Sequence, residues 1–68
     1  MLGIEKKIDD CNQICLKMRN NLGQINNDVE SIRQSIEMRQ MESMPDDLDS
    51  IGTAIIIIRK LYKELLEL

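Results

Sequence analysis

The sequence predicts an all-α fold, a long heptad-repeat helix followed by a shorter helix, forming a helical hairpin that assembles as an oligomeric coiled coil or helical bundle. Three observations carry this. Apolar residues recur at alternating spacings of four and three from Ile4 to Ile36; a polar, acidic break containing Pro45 follows; and a second apolar segment with helical period runs from Leu48 to Leu68. No segment alternates with period two, so the isoleucine run "AIIIIR" has no sheet partner and reads as helix.

The first helix is expected over about residues 3–41. Ile8, Cys15, Leu22, Val29 and Ile36 take the a positions of its heptads, and Ile4, Cys11, Met18, Ile25 and Ile32 take the d positions. Gly23 stands at an outward b position, where it costs about 1 kcal/mol relative to Ala without breaking the helix. The pattern fails at Arg39, which falls on the next d position. Pro45 cannot sit inside a helix without losing a hydrogen bond, so a turn is expected at about 42–45, with Ser43 as an N-terminal cap. Asp46, Asp47 and Asp49 suit the positive end of a second helix, expected over 46–68.

That second helix is wider in its apolar face than the first. Leu48, Ile51, Ile55, Ile58, Tyr62 and Leu65 form a heptad series, and Ala54, Ile57, Leu61, Leu66 and Leu68 widen it to an arc of roughly 180°, outside which Ile56 stands alone. An arc of this width calls for at least two neighbouring helices. By length, the second helix covers only the C-terminal part of the first, so Ile4, Ile8, Cys11, Ile14, Cys15 and Met18 are expected to meet another chain, another copy, or the remainder of a larger protein.

Composition points the same way. The 68 residues form one small helical oligomerisation unit, and chains this short rarely build a sufficient core alone. There is no Phe or Trp and one Tyr, which leaves Ile, Leu, Val, Met and Cys to pack. Nine basic residues are scattered among twelve acidic ones for a net charge of −3, with no basic face and no stacking aromatics, so no nucleic-acid partner is expected. His is absent and no phosphate loop or nucleophile constellation replaces it; no enzymatic activity, cofactor or metal is expected. The five apolar residues before Arg59 fall far short of the roughly 20 a membrane span needs, and no signal peptide is visible, so the expected location is intracellular and cytoplasmic.

Cys11 and Cys15 form a C-x-x-x-C pair on one helical face. Zinc wants four ligands, and no further Cys or His exists to complete a site; within one straight helix the two side chains stack rather than converge, so both read as small seam residues. The spacing is similar to that of the small mitochondrial intermembrane-space chaperones, whose hairpins carry two such pairs. The second pair is missing from this sequence, and no function is carried over.

The abundance of Ile at both a and d leans towards assemblies with a four-helix or larger cross-section, with a trimer next. The expected interface comprises the ten seam residues of the first helix together with Leu48, Ile51, Ile55, Ile58, Leu61, Tyr62 and Leu65. The function expected is oligomerisation or scaffolding as part of a larger protein or complex. The alternative is a small regulator that lays an amphipathic helix into a groove on another protein.

Overall fold

A computed structural model describes residues 2–68 as two helices, α1 (Leu2–Met38) and α2 (Met44–Glu67), folded back on each other as an antiparallel hairpin. The longest dimension, 57 Å, is the length of α1. The isoleucine run lies within α2, as helix and not as strand.

α1 ends three residues before the expected boundary, and the reason is local. Arg39 adopts a left-handed conformation, φ 55°. Its N–H donates to the Ile36 carbonyl and the Gln40 N–H to the Ser35 carbonyl, at 3.2 and 2.9 Å. These are the two bonds of a Schellman motif, which satisfies the last carbonyls of a helix and turns the chain away. The motif normally uses Gly; here an L-residue occupies the left-handed position. The misfit of Arg39 in the heptad therefore coincides with the end of the helix, and the connection runs from 39 to 43.

α2 begins two residues earlier than expected. Pro45 lies in its first turn, where the missing N–H costs nothing. Ser43 is the N-cap residue, but its side chain makes no capping bond; its φ and ψ are helical, and its carbonyl accepts from the Asp47 N–H at 3.2 Å. The expected side-chain cap is thus replaced by an early backbone turn, and Asp46 and Asp47 supply the favourable charge at this end.

The core is thin. Among the described residues, Ile14, Ala54 and Leu61 are the buried apolar ones, at 7%, 3% and 6% exposure. They mark a seam in which α1 offers Ile14, Asn21, Asp28 and Ser35 on one edge and Cys11, Met18, Ile25 and Ile32 on the other. In heptad terms these are the g and d positions. α2 answers with Asp47, Ile51, Ala54, Ile58, Leu61 and Leu65.

α2 reaches further back than its length alone indicated. Ser31 Oγ donates to Asp47 Oδ2 at 3.0 Å near the turn. At the far end Glu64, Glu67 and Leu68 border a shallow groove with Asp10, Gln13, Ile14 and Lys17. Ile14 is therefore buried by α2, and Cys11 and Met18 are half-covered. This corrects the expectation that all of Ile4 to Met18 stays free of α2. The uncovered part of α1 is the stretch before Asp10, carrying Ile4 and Ile8. Among the described residues, no helix is long and apolar enough to cross a membrane.

Candidate association surface

A heptad seam has two apolar columns, and the hairpin uses one. The d column is shared with α2. The a column is not: Ile8, Leu22, Val29 and Ile36 are each more than half exposed, and Cys15 is exposed with them. On α2 the same division appears. Ile51, Ile58 and Leu65 are half-buried in the hairpin, while Leu48 and Tyr62 are more than half exposed and Ile55 is 41% exposed.

Helix geometry places both exposed columns on the same side. At about 100° per residue, the a column lies about 90° round from the centre of the buried face of α1, and Leu48, Ile55 and Tyr62 lie about 90° round from the centre of the buried face of α2, in the same rotational sense. Two right-handed helices running in opposite directions and facing each other carry such columns to one common side. The hairpin thus has an apolar front. It is bordered by the half-covered Met18, Ile25, Ile32, Ile51, Ile58 and Leu65, so it is continuous across both helices.

The back is polar. On α1 it carries Gln13, Lys17, Asn20, Gln24, Asn27 and Gln34, and on α2 Asp46, Ser50, Thr53, Lys60 and Glu64, with Met38 and Ile57 the apolar exceptions. Charged residues border the front without entering its columns. Arg33 is held on its own helix by ion pairs to Glu30 and Glu37. The Arg33 hydrogen bonds keep the Glu30 carboxyl below the usual carboxylate range, and Glu30 in turn raises the Arg33 guanidinium.

The two thiols differ in setting. Cys11 is half-covered at the hairpin edge, and Cys15 sits exposed in the front. Hydrogen bonding with Cys15, then burial, pushes the Cys11 thiol above its ordinary value. A thiol so shifted is a poor nucleophile at neutral pH. Among the described residues, no group of three or more His, Cys, Asp or Glu side chains is placed to hold a metal ion.

One polar residue in the seam escaped the sequence reading. Asp28, at a g position of the heptads, is 7% exposed inside the hairpin. Gln24 Nε2 donates to its Oδ1 at 3.1 Å, and its Oδ2 has no partner. Ile14, expected to meet another chain, and Ala54, expected only as part of the wide arc of α2, are instead buried within the hairpin, as is Leu61. The signal that could have found the α1 column is the series Ile14, Asn21, Asp28, Ser35, in which three of the four side chains are uncharged.

No protein-family profile matches this chain, and comparison with curated proteins and with solved structures finds no match either.

Proposed function

We propose that this chain is an association module, whose work is to hold protein copies together through the apolar front of its hairpin. The observation that carries the reading is the unused a column beside an unused column on α2. A hairpin that needed no partner would place polar residues there, as it does on its back. Surface area supports the same conclusion: the hairpin exposes 5590 Å², against about 4,400 Å² for a compact monomer of its mass. The excess is on the order of 1,200 Å², comparable to the roughly 800 Å² per partner that a standard interface removes from water.

The reading is chemical only in this sense; it assigns no reaction, no cofactor and no metal. Light scattering on the purified chain at tens of micromolar tests it, with far-ultraviolet circular dichroism alongside. A helical species of one defined multiple of the chain mass is the expected result. A monomer overturns the proposal, and a monomer that gains helix on meeting another protein's groove would replace it with the regulatory reading.

A further inference from the structure

Resting on that reading, we infer that the front is closed by one second copy of the same chain, turned end for end, so that two hairpins form a four-helix bundle whose two-fold axis passes through the layer of Leu22 and Ile55. Each column is symmetric about its middle residue. Ile8, Cys15, Leu22, Val29 and Ile36 are centred on Leu22, and Leu48, Ile55 and Tyr62 are centred on Ile55. The two centres also share a level. Ser31 meets Asp47, Leu22 lies nine residues before the one and Ile55 eight after the other, and the helices climb at equal rise in opposite directions. A two-fold axis across the hairpin at that level therefore brings both columns onto their own copies at once, with Leu22 against Leu22 and Cys15 against Val29 of the second copy.

The overhang of α1 selects this axis over one running along the bundle. With the axis along the bundle, Ile8 would face the empty space beyond the end of α2. With the axis across it, Ile8 falls on Ile36 of the second copy, covering two side chains that are 55% and 51% exposed in the hairpin. The area is of the right order: with α1 along the 57 Å length, α2 of 24 residues along about 36 Å, and each taking half of the 15 Å width, the front offers about 700 Å² per copy, near the roughly 800 Å² that a standard-size interface takes from each partner.

Disulfide trapping reads the register directly. With Leu22→Cys as the sole thiol, in a chain also carrying Cys11→Ser and Cys15→Ser, mild oxidation should convert nearly all protein to a covalent dimer. With Cys15 as the sole thiol it should not, because two Cys15 would lie about 21 Å apart along the bundle, against the 4.4–6.8 Å between Cα atoms that a disulfide spans. Circular dichroism checks each variant. If Leu22→Cys loses its helix, Cys11→Ser with Val29→Cys carries the test, since Cys15 of one copy then meets residue 29 of the other and intermolecular crosslinking is expected. A mass of two chains in which Cys15 alone crosslinks, or in which neither variant crosslinks, overturns the register and leaves association standing. A trimer overturns the two-copy bundle, and a monomer overturns the association reading itself.

Discussion

Ile55 and Ile56 are neighbours in sequence and nearly alike in the hairpin, 41% and 55% exposed, yet association treats them differently. Ile55 belongs to the front and Ile56 points away from both α1 and the front. Truncating an isoleucine to alanine removes three carbons, worth about 2.4 kcal/mol when fully buried at ~0.8 kcal/mol per methylene. In a lone hairpin the two variants would differ only by their unequal exposure, which scales to about 0.3 kcal/mol. In the associated state Ile55 is enclosed, and its loss rises to the 2–5 kcal/mol per copy typical of buried isoleucine, cavity included. Ile56→Ala should not follow it. Both substitutions gain the same helix propensity, so the difference between them isolates packing. Denaturant unfolding followed by circular dichroism, repeated across a wide range of protein concentration, measures it. The expected result is an Ile55→Ala cost exceeding that of Ile56→Ala by more than about 1 kcal/mol, with midpoints that rise with concentration. Equal costs and concentration-independent midpoints would refute the reasoning, because they are what a hairpin with no partner gives.

Two further outcomes concern the hairpin itself. Arg39→Gly should raise stability by about 1 kcal/mol, the left-handed penalty of an L-residue less the added entropy of glycine, which for a chain of this length is a thermal midpoint higher by roughly 4–8 °C. Arg39→Ala, which keeps the penalty, should not; a Gly variant no more stable than the Ala variant would show that the turn is not held by the Schellman motif. Asp28→Asn keeps the shape and the bond from Gln24 while removing a buried charge with one oxygen unpaired, so its unfolding midpoint in denaturant should rise, by about 1 kcal/mol in stability. A loss instead would mean that the ionised carboxylate holds the seam.

Much of this molecule follows from local periodicity. The four-and-three spacing from Ile4 to Ile36 makes α1 a helix because only that geometry gathers those side chains on one side. Pro45 cannot continue a helix but can open one, so a break before it was already written in the chain. The width of the apolar arc on α2 likewise foretold that one neighbour would not cover it. What the periodicity leaves open is which part of an apolar stripe meets which neighbour. The a and d columns of α1 are equally apolar, and nothing in their spacing says that α2 takes d and g and leaves a. That choice was made by non-local geometry: the left-handed turn at Arg39 sets the direction in which the chain returns, and Ala54 and Leu61 of α2 are buried together with Ile14 and Asp28 of the g column. Asp28 is buried for the same reason, in a position whose residue type alone reads as solvated. The sequence by itself determined two helices and an excess of apolar surface; the tertiary structure decided where that excess lies, because the direction of a turn and the fit between two helix faces are properties of residues far apart in the chain.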